Sequence, residues 1–577
     1  MEHMTEILAA ARGDSPCDLA LLNGTVINTF TCEKLQGDVG IKNGVIVGIG
    51  EYQGSEEIDV SGKYIAPGFI EAHYHIESSM LRPSELTSVI VPRGTTCMVA
   101  DPHEIANVAG LAGIEFLLAD SDEIPMDLYL MAPSCVPSTE FDSSGASITE
   151  RDIEHLYRHP RILGLGEVMD YTSVVNARPN ILRKIEISEG RPVDGHAPML
   201  SGPELSAYIA AGPRSDHECS TPEEALEKAR LGMTVMIRGS GDGQNLAGML
   251  SVVNPLNCGQ FILVTDDRGA DELDRHGHLD HLLMQAVDAG IDPALAVRLV
   301  TLNPALYFGL KRRGAVAPGY MADLVVLEDL RSFRVSRVYR SGKLVARQGR
   351  LLSEVSRSTL QPAVVDTVQL DRAALDDLWI SFRSPDPAVR VMELVPGTIL
   401  TRTSLEKVRT GTGTDRSFAF DPSVDLCPVF VLERHHNTGR VGRGLVRGFG
   451  LRKGAIASSF AHDSHNIICA CADPVSARTA ILAVAESGGG YSVAIDREVI
   501  GLLRLPVCGL ISDGTVDDLL RGLARIDKAV RETGCSLSRP FFDLSFLSLP
   551  VVPELKLTDR GLVEVGSMEL VELELEE

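Results

Sequence analysis

Pro67-Gly68-Phe69-Ile70-Glu71-Ala72-His73-Tyr74-His75 leads a mostly apolar run, 64–70, into two histidines one residue apart. A β-strand places residues i and i+2 on one face, so both imidazoles would point the same way and could share a metal ion. Surface loops carry such pairs by chance. The reading therefore turns on whether other strand ends supply further ligands.

Strand-like runs follow at 96–100, 127–131, 162–166, 192–194, 210–215, 234–238 and 261–265. Helical segments alternate with them at 83–93, 108–119, 180–189, 203–209, 222–231 and 279–289. With the first run this makes eight strand units, the pattern of a parallel (β/α)8 TIM barrel. Such barrels carry their chemistry at the C-terminal ends of the strands. Those ends hold His73 and His75, then Asp101, His103 and Glu104, then Glu167, His196, His217 and Asp266. A lone histidine at a strand end is more often a hydrogen-bonding structural residue than a ligand. The joint pattern is what points to two divalent metal ions, and imidazole with carboxylate favours zinc, manganese or iron over calcium.

The flanks read differently. Around 19–50, short alternating strands are broken by Asn23-Gly24 and Asn43-Gly44, both hairpin signals. More strands follow the barrel at 314–327 and around Ser341-Gly342. Beyond about residue 356 the pattern is α+β, with strands at 391–395, 429–432 and 455–459 and helices at 474–486 and 516–533. Gly488-Gly489-Gly490 reads as a helix stop and turn, since it lacks the lysine and the strand-to-helix order of a phosphate loop. Arg434-His435-His436 and His462-Asp463-Ser464-His465-Asn466 read as hydrogen-bonded structural clusters; a third metal site or a reach across the barrel mouth are the alternatives.

Composition narrows the function. A formal net charge of −25 argues against a nucleic-acid partner. Eleven scattered cysteines suit a reducing cytoplasm. The first residues lack a basic segment followed by an apolar core, and no run approaches the ~20 apolar residues of a membrane span. The zinc nucleobase-deaminase pattern with Cys-x-x-Cys is absent; the close pair Cys469 and Cys471 is Cys-x-Cys.

The order Pro-Gly-x-Ile-Glu-x-His-x-His, then Glu, His, His and Asp, resembles the amidohydrolase superfamily. Within it, Ile70–Met80, Ala100–Asn107 and Thr265–Arg268 look like the prokaryotic adenine deaminases. Glu71 departs from the superfamily, which usually has Asp there. The resemblance implies a small β-sandwich built from both sides of the barrel (residues 1–66 and 313–355), the barrel itself (67–312) and a C-terminal α+β domain (356–577). It implies that His73, His75 and Asp266 bind one metal, that His196 and His217 bind the other, and that Glu167 bridges them, with Asp267 as the alternative last ligand. No lysine occurs in 162–170 to bridge instead.

The implied reaction is hydrolysis of adenine to hypoxanthine and ammonia in purine salvage, since a water between two divalent ions becomes a strong nucleophile near neutral pH. Asp266 would accept a proton and pass it to the amine. Glu104 would protonate N1, with its pKa raised by burial or by Asp101 nearby. Asp101 and His103 would orient the ring. Glu77 and Ser78, with Ser79, would line the purine pocket, unless the serines serve as caps. Manganese is favoured, with ferrous iron or zinc as alternatives, in a homodimer. The alternatives are another binuclear amidohydrolase acting on a different aminopurine or a cyclic amide, and a non-catalytic scaffold.

Overall fold

Gly68 divides the decisive stretch between two sheets. In the computed structural model, which describes residues 2–239, 246–411 and 416–575, Tyr64–Pro67 pairs antiparallel with Leu324–Leu327 and parallel with Thr25–Asn28. Phe69–Tyr74 (β1) instead pairs in parallel with Thr95–Ala100 (β2). The single run expected over 64–70 is thus two strands. The Gly68 N–H donates to Asp323 O at 2.8 Å, and a Cβ on this residue would fall inside the Thr96 side chain.

From β1 the chain builds a curled parallel sheet. Asp127–Ala132 (β3), Ile162–Val168 (β4) and Val193–Gly195 (β5) add in chain order to β1 and β2. Ser215–Asp216 (β6), Thr234–Arg238 (β7) and Phe261–Val264 (β8) form a second parallel group. Backbone bonds join the groups at both seams: Arg214 N to Val193 O at 2.9 Å, and Asp266 N to His73 O at 3.1 Å. Glu71 reinforces the second seam, accepting from the Thr265 hydroxyl at 2.7 Å and from the Thr265 N–H. Ile70, Ala72, Cys97, Val99, Met131, Met236, Ile262 and Val264 meet in one buried cluster, as the interior of a TIM-barrel-like array requires.

The connecting helices start where the sequence signals them. Pro83–Ile90, Pro179–Glu186 and Pro222–Arg230 each begin on proline, whose missing N–H costs nothing in a first turn. Two expectations need correction. Of the strand placed at 210–215, the first two residues end helix Gly202–Ala211 and the next three are loop, leaving only Ser215–Asp216 extended. The helix placed at 108–119 begins earlier, at His103–Ala109, and restarts as Leu111–Asp120 after Gly110, whose φ of +56° no helix accommodates.

The two flanking blocks share one seven-stranded sheet, because Tyr64–Pro67 lies between Thr25–Asn28 and Leu324–Leu327. Asn43-Gly44 turns a hairpin between Asp38–Lys42 and Val45–Gly50, and Ser341-Gly342 another between Val335–Arg340 and Lys343–Arg347. Asn23-Gly24 does not: Cys17–Leu22 and Thr25–Asn28 belong to different sheets, so this dipeptide is a crossing between layers. Beyond the barrel lies an eight-stranded, mostly antiparallel sheet. Alternate residues of Leu426–Leu432 separate its faces. Phe430 and Leu432 pack with helix Pro474–Glu486, and Val429 and Val431 belong to the large core shared with the barrel helices. Among the described residues no helix is long and apolar enough to cross a membrane.

Gly68→Ala should lower the thermal midpoint, at a cost of about 1–3 kcal/mol for overpacking. Adding Thr96→Ala should recover part of that loss in the same denaturation measurement. A G68A protein melting like the parent would contradict the close approach.

Candidate metal centre at the barrel mouth

A break in strand alternation brings the His-x-His pair inward. Ala72 lies in the barrel interior, whereas Tyr74 packs with the helix-side core and donates its hydroxyl to Arg268 O at 2.9 Å. The β1–β2 register shifts between Glu71 and Tyr74, and such an irregularity re-aims side chains. His73 and His75 then stand with ring centroids 5.0 Å apart, and His73 stacks on His217 at 3.9 Å. His196 and His217 directly follow β5 and β6, and Asp266 follows β8 by one residue, in a left-handed conformation with φ +55°.

Glu167, near the end of β4, is the hub. One of its oxygens, Oε1, faces His75 Nε2 at 3.2 Å, His73 Nε2 at 3.6 Å and His103 Nδ1 at 3.5 Å. The other, Oε2, faces His196 Nδ1 at 2.8 Å and His217 Nε2 at 3.2 Å. Asp266 Oδ1 lies 3.4 Å from His73 Nε2 and 3.2 Å from His75 Nε2. All of these residues are buried. His73 Nε2, His103 Nδ1 and Glu167 Oε1 have no hydrogen-bond partner despite burial. Buried lone pairs so crowded require protons or cations between them. The triads His73–His75–Asp266 and His73–Glu167–His217 each bring their donor atoms within 4.8 Å of one another, so the residues present fit divalent metal ions.

Arg238, at the end of β7, was missed at the sequence level. It donates to Asp266 Oδ2 at 2.6 Å and pairs with Glu218 Oε1 at 2.6 Å. Burial alone would raise the Asp266 carboxyl, but Arg238, His73 and His75 hold it well below the usual range. Asp267 takes a different course, accepting the Ser78 hydroxyl.

Glu104 corrects two expectations. Its Oε1 lies 2.5 Å from His462 Nδ1, and its Oε2 lies 2.5 Å from His465 Nε2. The C-terminal histidines therefore reach into the barrel mouth, and the reading of that cluster as purely structural is replaced. Burial pushes the Glu104 carboxyl up, yet His462, His465 and His103 outweigh it and hold the group well below its ordinary value. The raised pKa expected for this acid is overturned, because three imidazoles outweigh both burial and the nearby Asp463 carboxylate. The loop is braced from below: His435 Nε2 pairs with Ser464 O at 2.7 Å, and Arg434 donates to His465 O and, at 2.9 Å, to Cys508 O. A contact spanning 361 residues leaves no local sequence signal.

These groups open onto a cavity of about 2040 Å³ lined by both the barrel and the C-terminal region. His75, His103, Glu104, Glu167, His196, His217, Asp266, His462 and Asp463 reach it. Asp101, Glu77 and Ser78 are not among its lining residues. Asp101 accepts from Glu167 N at 2.8 Å and from His103 N at 3.2 Å. Glu77 accepts from Ile105 N at 2.9 Å. Asp101 and Ser78 are thus engaged with backbone N–H groups, the His103 ring and Asp267, whereas Glu77 Oε2 is buried without a hydrogen-bond partner.

Known proteins resemble the chain over its full length. A model described as "Amidohydrolase family" matches residues 64–345, and one described as "Adenine deaminase C-terminal domain" matches residues 398–569. The chain is 43% identical over 576 residues to "Adenine deaminase 2" of Carboxydothermus hydrogenoformans, covering 100% of both chains. It is 40% identical over 570 residues to an "Adenine deaminase" of Dehalococcoides mccartyi, covering 99% of each. Among solved structures, a dihydropyrimidinase from Brevibacillus agri superposes with a TM-score of 0.44 at 16% identity, over 59% of this chain and 99% of that one.

Manganese added to chelator-stripped protein should raise the melting temperature, by an amount equivalent to about 2.7 kcal/mol for each ion bound at a hundredfold excess over its Kd. In Glu167→Gln most of that shift should vanish. A variant that responds to metal like the parent would show that Glu167 does not hold the ions.

Proposed function

The chain belongs to the adenine deaminase family, a hydrolase lineage acting on the C–N bond of adenine, and from that membership we propose how its residues carry the reaction. Water replaces the 6-amino group, giving hypoxanthine and ammonia. The observation that carries the assignment is Glu167, which turns one oxygen to His73 and His75 and the other to His196 and His217.

His73, His75 and Asp266 would hold one divalent ion, His196 and His217 a second, with Glu167 between. Ions bound there would lower the pKa of a water to near 7 and supply the nucleophile. The absence of thiolate from the donor set suits manganese, with ferrous iron or zinc as alternatives. Asp266, kept ionised by Arg238, would take the proton of the attacking water and pass it to the departing amine. Glu104, on the cavity wall, would deliver a proton to N1, and His103 beside it would orient the ring. Asp101, Glu77 and Ser78 would brace these groups.

We assign the eight strands to a closed (β/α)8 barrel at 67–312, with 1–66 and 313–355 forming the β-sandwich and 356–577 the C-terminal domain. Free thiols at every described cysteine support a reducing, cytoplasmic setting, and a homodimer is our assignment for the assembly. The cavity exceeds the roughly 300–1,000 Å³ of ordinary ligand sites, which favours larger 6-aminopurines as a second reading.

Ammonia release from adenine by manganese-loaded protein tests the assignment. Turnover should disappear in His73→Ala, and Glu104→Gln should lose about 10²–10⁴-fold in kcat while keeping its metal. Full turnover in E104Q would remove Glu104 from the chemistry. Failure with adenine but activity on bulkier aminopurines would select the second reading.

A further inference from the structure

Glu104 is clasped by two imidazoles that are not equivalent. His465 Nδ1 accepts the Ala461 N–H at 3.2 Å, so its hydrogen sits on Nε2 and is donated to Glu104 Oε2. That neutral ring is fully satisfied. Burial pulls this imidazole down and outweighs the attraction of Glu104; His462 and the Arg434 guanidinium behind it add to the lowering, and its pKa settles at about 4.

His462 has different neighbours. Glu104 and Asp267 face it from the barrel, and Asp463 and His465 from its own loop. Its ring stacks on Phe546 at 4.2 Å, which fixes its plane. Burial lowers this imidazole, but Glu104, Asp267 and Asp463 reverse the effect and bring it to about 9. Unlike His465, it borders the cavity.

We propose that His462 is a positioning residue for the deamination, which acts through Glu104 by holding and replenishing the proton that Glu104 delivers, while His465 is a fixed neutral strut. The inference rests on the assignment of Glu104 as the N1 proton donor. In the step, the proton on His462 Nδ1 crosses to Glu104 Oε1 and moves on to N1. The attacking water gives its oxygen to C6 and one proton, by way of Asp266, to the amine. The C6–N bond then breaks with its electron pair passing to nitrogen. The remaining proton of the new C6 hydroxyl is released and restores His462, so one water is consumed and one ammonia leaves with every proton returned. A general acid held ionised by its surroundings needs such a partner.

The test compares kcat and KM for adenine in manganese-loaded H462A, H462N, E104Q and E104Q/H462A, with metal content and melting temperature measured for each. H462A should lose about 10²-fold in kcat with little change in KM. H462N, which keeps a hydrogen-bond donor but cannot carry the proton, should fold and bind metal normally and still remain slow. The double variant should be no slower than E104Q, as expected for two groups acting in one step. Multiplicative losses in the double variant, or parental kcat in H462N, would overturn the proposal. Parental kcat in E104Q would instead overturn the assignment of Glu104 itself, whatever His462 does.

Discussion

Glu167 cannot be buried alone. An isolated carboxylate removed from water is expensive enough to neutralise itself or to demand compensating charge. Here five imidazoles face its two oxygens within 3.6 Å, and its pKa is held well below the ordinary value despite burial. Much of the surrounding architecture serves this one arrangement. The irregular register of β1 turns His73 and His75 inward, the short β5 and β6 end where His196 and His217 are needed, and Asp101 pins the Glu167 backbone N–H. Arg238 supplies a permanent positive charge beside Asp266.

The legibility of this centre in the sequence followed from strand periodicity. Histidines and acids at the ends of apolar runs could be listed because a parallel array sends all its strand ends the same way. What escaped was set by contacts far apart in the chain. Gly68 looks like the middle of one apolar run, and only the pairing with Leu324–Leu327 shows that the strand changes sheets there. Asn23-Gly24 has the chemistry of a hairpin turn, yet the partners of its flanking strands lie elsewhere. Arg238 reads as the last residue of a strand until Asp266 and Glu218 are placed around it.

Glu104 shows the same principle in its electrostatics. The local sequence offers it Asp101, an acidic neighbour that would push its pKa upward. The folded chain offers it His462 and His465, which pull the other way. The C-terminal sheet thus contributes to the cavity as directly as the barrel does: one face packs on a helix of its own, and the other joins the core shared with the barrel helices.

The shared seven-stranded sheet also bears on how the protein is made. Tyr64–Pro67 needs Leu324–Leu327 as its antiparallel neighbour, and the whole barrel segment lies between them. At ordinary ribosomal rates that partner emerges on the order of tens of seconds later. During that interval a nascent edge strand stands without one of its neighbours, and such edges recruit foreign strands. Newly started chains should therefore be most vulnerable to aggregation before the barrel has been fully translated.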